Sequence, residues 1–153
     1  MDDLAELYQQ VILDHNRRPR NFGKLASATR TAEGYNPVCG DHIQVHVRVA
    51  DDTVAEIAFE GSGCAISRAS ASLMTQAVQG KAVPVAEQLF RDFQELVTAN
   101  PTARVGPDQS ERVGKLAVLA GVRAFPSRIK CATLAWHALH AALSSQTEPV
   151  STE

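Results

Sequence analysis

Apolar residues near the start of the chain recur every three or four positions, which is the spacing of one helix face. They are Leu4, Leu7, Tyr8, Val11 and Ile12. Asp2 or Asp3 can cap this helix, because an aspartate oxygen can accept a hydrogen bond from the first free backbone N–H groups. The residue before a proline is disfavoured in the helical region, so the pattern predicts a first helix that ends before Pro19.

Strict alternation of apolar and polar residues follows, as expected for half-buried strands. The apolar positions are Ile43, Val45, Val47 and Val49, then Ala55, Ile57 and Phe59. The pair Asp51-Asp52 separates the two series and predicts a β-hairpin. Because one face of this hairpin is apolar and the other polar, helices are expected to cover one side only. The preceding stretch "TRTAEGYN" predicts a short edge strand.

Helical spacing returns after Cys64 and continues almost to the end of the chain. The predicted helices run from Cys64 to just before Gly80, from about Pro84 to Val97, through "ERVGKLAVLAGVRAF", and through "FPSRIKCATLAWHALHAAL". Ser127 is the expected cap of the last helix, and its inward face is Ile129, Ala132, Trp136, Leu139 and Leu143. The stretch "TANPTARVGPDQSE" is predicted to be a polar loop.

These elements predict an α+β fold, with a small antiparallel β-sheet of about three strands and helices packed on one face. The 153 residues suit one domain, which we place at residues 1–143, followed by a flexible tail at 144–153. The composition is that of an ordinary globular protein, with 44% hydrophobic and 21% charged residues.

Charge and composition exclude several classes of function. The formal net charge is -2 and no basic stripe dominates, which argues against a nucleic-acid partner. No apolar run is long enough for a membrane span, and the acidic N-terminus lacks the pattern of a signal peptide, so the expected location is cytoplasmic. In that reducing compartment, three cysteines are not expected to form a disulfide framework.

Each of the three cysteines, taken alone, is most simply explained as a small buried side chain. Their positions favour another interpretation, because all three lie at junctions between predicted elements. Cys39 precedes the hairpin, Cys64 opens a helix, and Cys131 falls in the predicted first turn of the last helix. A helix N-terminus favours the thiolate, which is both a metal ligand and a nucleophile. No C-x-x-C pair is present, so any joint site must be assembled by the fold.

Asp41 strengthens the metal hypothesis because residues two apart in an extended segment point to the same side. Gly40 between Cys39 and Asp41 allows the backbone to bend. Three thiolates and a carboxylate would form a tetrahedral set suited to zinc, although Asp41 is equally explained as a turn or strand-capping residue. The rival ligands are four histidines that we expect to be solvated: His42, His46, His137 and His140.

Four motifs together resemble the IscU/NifU N-terminal superfamily of iron–sulfur cluster assembly proteins. They are "HNRRPRNFG", "NPVCGD", "EGSGCAIS" and "RIKCATLAW", and the resemblance extends from the first helix to about Leu143. Within that superfamily the chain looks like the SufU branch. Lys130 stands where IscU-type scaffolds have a histidine, the segment between Cys64 and Cys131 is long, and the chaperone-recognition motif "LPPVK" is missing.

The resemblance implies that zinc is held by residues matching Cys39, Asp41, Cys64 and Cys131. It also implies that Cys39 accepts sulfur from a PLP-dependent, SufS-like cysteine desulfurase and passes it toward a SufBCD-type assembly complex. Such a protein is a sulfurtransferase-type accessory protein rather than a stand-alone metabolic enzyme. Arg128 and Lys130 are candidate supporting residues beside the negative site, and each is also explained as a surface charge.

Two other readings of the same four residues stay open. They would equally suit a nascent [2Fe–2S] cluster, in which case the protein is a scaffold on which clusters are assembled and transferred. They would also suit a structural zinc site in an interaction module, where the metal contributes folding free energy and no sulfur moves.

Overall fold

The computed structural model describes residues 3–145 and 149–151, in which helices and strands follow one another in the predicted order. A helix and three strands come first: α1 (Asp3–Arg17), β1 (Arg30–Asn36), β2 (Asp41–Ala50) and β3 (Thr53–Ser62). The remaining elements are α2 (Ala65–Val78), α3 (Val83–Thr98), α4 (Pro107–Val113), a 3-10 helix (Gly114–Ala124), α5 (Pro126–Leu143) and β4 (Val150–Ser151). The predicted α+β class is confirmed.

Within the described residues, the sheet has four strands in the order β3-β2-β1-β4, one more than expected. The β1–β2 and β2–β3 pairs are antiparallel, as predicted, but β4 pairs with β1 in parallel. The stretch predicted as an edge strand is therefore covered by β4 along part of its length. A strand of two residues is too short to show any alternation, which is why the sequence pattern does not reveal it.

A bulge in β3 changes which of its residues reach the core. Arg48 pairs with Glu56 and Val49 with Val54, so Ala55 is the extra residue between them. Val54 is fully buried as a result, whereas Ala55 is only partly buried. The prediction that Ala55 belongs to the apolar face was wrong, because the bulge shifts the alternation by one residue.

Helix α5 forms the centre of the core and lies close to β1. The indole of Trp136 is fully buried and stacks between Phe90 and Phe93, with ring centroids 6.2 and 5.0 Å away. A Cβ at Gly34 would lie 3.0 Å from Leu134, so this glycine lets the helix approach the strand. The predicted cap was wrong: α5 begins at Pro126, Phe125 is its N-cap, and Ser127 lies inside the helix.

The "HNRRPRNFG" motif fastens the end of α1 and the following loop onto α2. His15 Nδ1 lies 2.7 Å from Ser72 Oγ, which also accepts a hydrogen bond from the backbone N–H of Arg20 at 2.8 Å. Asn21 Nδ2 donates to Thr75 Oγ1 at 3.0 Å. These three residues of the motif therefore help to hold α1 against α2. The predicted cap of α1 lies outside the described residues, since Asp2 and the side chain of Asp3 do not belong to them.

The segment between α3 and α5 differs most from its prediction. Part of the expected polar loop forms α4, which has Pro107 at its start, a position where proline is well tolerated. The next stretch forms a 3-10 helix rather than an α-helix, and Gly114 at its start has a φ of 57°. Buried Arg123 fixes this segment by donating to the carbonyls of Leu96 and Ala103.

Part of the predicted tail is ordered against the sheet, since Val150 pairs with Gly34 and Ser151 with Tyr35. Residues 146–148 and 152–153 lie outside the described part of the chain. Among the residues that the structure describes, no helix is long and apolar enough to cross a membrane.

Candidate metal centre

The fold brings the three cysteines and Asp41 together at one end of the sheet. Cys39 lies in the turn between β1 and β2, and Asp41 is the first residue of β2. Cys64 is the N-cap of α2, and Cys131 lies in α5. These residues are far apart in sequence but close in space, because the β1–β2 turn and the starts of α2 and α5 meet at this end of the sheet.

Three of the four ligand groups form a compact set. One ligand atom from each of Cys39, Asp41 and Cys131 lies within 4.8 Å of the other two. The Sγ atoms of Cys131 and Cys39 are 3.5 Å apart. Cys64 lies next to this set, because its Sγ is 3.9 Å from Oδ2 of Asp41. Thiols and a carboxylate at such distances suit a thiophilic cation of tetrahedral preference.

Asp41 is fully buried, and local backbone geometry makes room for its carboxylate. Oδ1 accepts a hydrogen bond from the backbone N–H of Cys64 at 2.9 Å. A Cβ at Gly63 would come within 2.7 Å of that same oxygen, so only glycine leaves this space free. Within the described part of the chain, Asp41 takes part in none of the ion pairs. A bound cation would compensate the charge of this buried carboxylate, so the residues present fit a metal.

The turn that carries Cys39 depends on Gly40. Gly40 has a φ of +74°, a conformation that side chains rarely adopt, and its N–H donates to the carbonyl of Asn36 at 2.8 Å. The predicted bend between Cys39 and Asp41 is confirmed. It lets an exposed cysteine and a buried aspartate turn toward the same point.

The prediction that a helix N-terminus stabilises the thiolate holds for Cys64 but was wrong for Cys131. Cys64 Sγ accepts a hydrogen bond from the backbone N–H of Ser67 at 3.4 Å, so it lies at the positive end of α2. Because α5 begins at Pro126, Cys131 falls in its second turn, where the free N–H groups have ended. Burial raises the pKa of the Cys131 thiol far above its usual range, and Asp41, Cys39 and Cys64 act in the same direction. A nearby cation is what would make this thiol a thiolate.

The centre is open on one side only. Cys39 and Cys64 are exposed, whereas Cys131 and Asp41 are buried. A groove of about 620 Å³ leads to the thiols. Its apolar walls come from α1, the start of α2 and the 3-10 helix: Tyr8, Ile12, Leu13, Ile66, Val118 and Val122. A partner can therefore reach Cys39 without any rearrangement of the core.

The two candidate supporting residues differ in position. Arg128 is exposed, lines the groove, and holds its guanidinium 4.3 Å from the centroid of the Phe125 ring. Lys130 is half-buried and does not line the groove. Of the two, Arg128 is placed to meet an approaching partner.

The one group of possible metal ligands found in the described residues contains no histidine. The expectation that all four histidines are solvated was too simple. His46 is only 12% exposed in its side chain and contacts Glu60. His137 is half-buried against Phe90, and burial lowers its pKa. Cross-strand and inter-helix packing, which one-dimensional alternation does not show, explains both.

Asn36 is a residue of the site that the sequence pattern did not single out. Its amide Nδ2 lies 3.8 Å from Cys131 Sγ, and the residue is fully buried. An Asn-Pro pair normally indicates only a turn, so no local signal distinguishes this role from an ordinary one.

Comparison with known proteins identifies the family of this chain. The NifU-like N-terminal domain family matches residues 7–132, which is most of the chain and includes all three cysteines. The chain belongs to this family. The predicted superfamily is thereby confirmed, and the protein is a member of the SufU/IscU group of iron–sulfur cluster assembly proteins.

Two relatives of this NifU-like protein are similar to it along most of their length. The zinc-dependent sulfurtransferase SufU of Bacillus subtilis (strain 168) is 40% identical over 94% of both chains. The iron–sulfur cluster assembly scaffold protein IscU of Streptococcus pyogenes serotype M1 is 43% identical, over 94% of this chain and 86% of its own. Both a sulfurtransferase and a scaffold are thus described among close relatives.

Solved structures show the same fold. A proposed iron–sulfur cluster assembly scaffold protein for the SUF system from Fervidobacterium islandicum AW-1 superposes with a TM-score of 0.80. It is 28% identical, and the match covers 90% of this chain and 97% of that one. A nitrogen-fixing NifU-like protein (N-terminal part) from Brucella abortus has a TM-score of 0.79 at 21% identity, covering 95% and 97% of the two chains, which shows likeness of fold alone.

Proposed function

We propose that this protein is a zinc-dependent sulfur carrier for iron–sulfur cluster assembly. It takes persulfide sulfur from a PLP-dependent, SufS-like cysteine desulfurase and passes it to a SufBCD-type assembly complex. The observation that carries the proposal is the unequal exposure of the candidate ligands, since Cys39 and Cys64 are exposed in the groove while Asp41 and Cys131 are buried, and of the two exposed thiols Cys39 lies in a turn rather than at the start of a helix. The similarity to a zinc-dependent sulfurtransferase over 94% of the chain supports it.

The proposed zinc ligands are Cys39, Asp41, Cys64 and Cys131. Three sulfurs and one oxygen complete a tetrahedral site, and zinc itself takes no part in redox chemistry. When bound, zinc supplies a positive charge that keeps the thiols deprotonated and offsets the buried Asp41 carboxylate. A cytoplasmic setting, in which thiols remain reduced, suits three free cysteines.

Cys39 is the proposed sulfur acceptor. With zinc bound, Cys39 would be the exchangeable ligand, and a histidine of the docked desulfurase would be its replacement. The free Cys39 thiolate attacks the terminal sulfur of the desulfurase persulfide, so that a new S–S bond forms at Cys39 and the old S–S bond breaks. The electron pair of the broken bond stays on the desulfurase cysteine as its thiolate. Asp41, Cys64 and Cys131 would be the permanent ligands, because two of them are buried and Cys64 is held by α2.

The groove explains how a partner is received. Its apolar walls provide contact area, and Arg128 adds one positive charge at the edge of a negatively charged centre. We propose that Arg128 steadies the persulfide during transfer, and that half-buried Lys130 contributes only to the surrounding charge.

Replacing Cys39 tests the acceptor role. Wild-type protein is expected to increase the cysteine turnover of a SufS-like desulfurase, and Cys39→Ser to reduce that increase to background, because serine cannot carry a persulfide. Cys131→Ser serves as the matched control for metal loss: it is expected to lose zinc, whereas Cys39→Ser retains it on the other three ligands. Desulfurase stimulation in Cys39→Ser equal to that of wild type would contradict the proposal.

A second candidate function is a scaffold for a [2Fe–2S] cluster, favoured by the scaffold described among the relatives and by the suitability of thiolates for such clusters. Anaerobic purification followed by elemental analysis and absorption spectroscopy separates the two functions. A colourless protein with one zinc per chain supports sulfur transfer, and a protein with a stable visible chromophore supports the scaffold. If zinc were purely structural, Cys39→Ser would lower stability and leave sulfur transfer unchanged.

A further inference from the structure

Asn36 connects the turn that carries Cys39 to the buried thiol of Cys131. It is the last residue of β1, pairs across the sheet with Asp41, and is fully buried. Strand alternation places its side chain on the face covered by α5, together with Ala32 and Gly34. A fully buried polar side chain at this point must find its partners within the site.

Three contacts define what Asn36 does. Its side-chain oxygen accepts a hydrogen bond from the backbone N–H of Val38 at 3.2 Å. Its backbone carbonyl accepts one from the backbone N–H of Gly40 at 2.8 Å. These two contacts close the turn around Cys39. Since the Val38 N–H requires an acceptor, the orientation of the amide is fixed, and its NH₂ group faces Cys131 Sγ at 3.8 Å.

The three thiols consequently differ in their N–H donors. Cys131 has the Asn36 amide, and Cys64 has the backbone N–H of Ser67. Within the described residues, the hydrogen-bond contact of Cys39 is with the sulfur of Cys131 rather than with an N–H group. An N–H donor stabilises a thiolate and makes it less nucleophilic. The cysteine without such a donor is the one best able to attack an electrophilic sulfur.

We infer that Asn36 is a positioning residue that fixes Cys131 as a permanent ligand of the metal and leaves Cys39 as the ligand that exchanges. The inference rests on the proposed function, because it assigns a role within the same zinc centre. Outer hydrogen-bond partners of metal ligands typically contribute ten- to hundred-fold in metal affinity. Asn36 is expected to act through its amide donor, in addition to closing the turn.

Two substitutions separate the donor from the turn. Asn36→Ser keeps a neutral oxygen that can accept the Val38 N–H as in an ordinary serine turn, but its side chain is too short to donate to Cys131. Asn36→Ala removes both contacts. The measurements are the zinc dissociation constant, by competition with a chromogenic chelator, and the sulfur-to-metal charge-transfer band of the Co²⁺-substituted protein. Neither measurement needs a desulfurase.

We expect Asn36→Ser to raise the zinc dissociation constant about ten- to hundred-fold and to move the charge-transfer band to longer wavelength, because the Cys131 thiolate becomes richer in electrons. Asn36→Ala should show the same band shift. Wild-type affinity and an unshifted band in Asn36→Ser would overturn the inference. So would a weaker affinity with an unshifted band, since this indicates a packing defect only. Either result would leave the sulfur-carrier proposal standing, because that depends on the separate desulfurase experiment.

Discussion

Asp41 is the residue through which the centre is most easily disturbed. Its carboxylate is fully buried and accepts a hydrogen bond from the backbone N–H of Cys64. Its other oxygen lies close to the sulfur of Cys64. The carboxylate has this space because residue 63 has no side chain. A single methyl group at that position would act on the metal centre without removing any ligand.

Gly63→Ala is therefore expected to weaken zinc binding by about ten-fold or more, the effect typical of disturbed outer-shell positions. The added Cβ would lie 2.7 Å from Asp41 Oδ1 and would push the carboxylate away from the Cys64 N–H. Gly106→Ala is the matched control, because a Cβ there meets nothing within 4 Å. Chelator competition measures both variants. Equal zinc affinity in the two would show that the space around Asp41 is not required.

For single residues, the sequence predicts the types of the candidate ligands but not how deeply each one is buried. Cys39, Asp41 and Cys64 could be predicted because each lies beside a turn or a helix start that has its own sequence signature. The burial of Cys131 could not, because it depends on where α5 begins and on how β1 packs against it. The role of Asn36 could not either, because a contact between residues 36 and 131 leaves no local pattern.

At the scale of elements, α1 is attached to α2 by a small buried polar cluster. His15 is 4% exposed and contacts Ser72, whose hydroxyl also receives the N–H of Arg20. Burial lowers the pKa of His15, with Arg20 and Lys115 acting in the same direction and Asp14 in the opposite one. The folded protein thus favours the neutral form of this histidine.

This cluster predicts a pH-dependent stability. Because the pKa of His15 is lower in the folded protein than in the unfolded chain, the unfolded chain binds more protons at mildly acidic pH. The free energy of unfolding should be unaffected by His15 above pH of about 6.5 and should fall as the pH drops below that value, by at most about 1.4 kcal/mol per pH unit for one proton. His15→Gln should flatten this slope.

Urea unfolding of metal-free protein between pH 5 and 8 measures the effect. His137→Gln is the companion variant, because burial lowers the pKa of His137 as well, and the double variant should flatten the slope further. A slope in His15→Gln equal to that of wild type would contradict the assignment of His15 as a buried neutral group.

The elements themselves could be predicted where they carry a long, regular pattern. The strands β2 and β3 and the helices α1, α2, α3 and α5 were indicated by their sequence patterns, and β1 was expected only as a short edge strand. The predictions failed in the two residues of β4 and at the bulge around Ala55, where no such pattern exists. They also failed in the 3-10 helix, which is apolar at helical spacing but is held by long-range contacts of buried Arg123 with the carbonyls of Leu96 and Ala103 that the local pattern does not show.

At the scale of the whole molecule, the centre joins the β1–β2 turn to the starts of two helices that are distant in sequence. A metal bound there stabilises the folded chain over the unfolded one, in which these ligands are separated. At a free zinc concentration about 100 times the dissociation constant, the gain in unfolding free energy should be about 2.7 kcal/mol. Urea unfolding with zinc buffered at that concentration, against chelator-treated protein, measures it.

Asp41→Ala provides the control for this prediction. It removes one ligand and should abolish most of the zinc-dependent gain. An equal zinc-dependent increase in unfolding free energy in Asp41→Ala would show that zinc stabilises the protein from another site. If zinc gave no such increase in the wild type, the metal centre would not contribute to the stability of the fold.

The opening of the centre on one side limits how many partner proteins can reach Cys39 at once. Because Cys131 and Asp41 close the inner side, the donor and the acceptor of the proposed sulfur transfer would both have to approach Cys39 through the same groove. Two large proteins cannot occupy that groove together. If the protein carries sulfur as proposed, it must part from one before it meets the other, so we expect donor and acceptor to compete for it, and an excess of either partner to slow delivery rather than speed it.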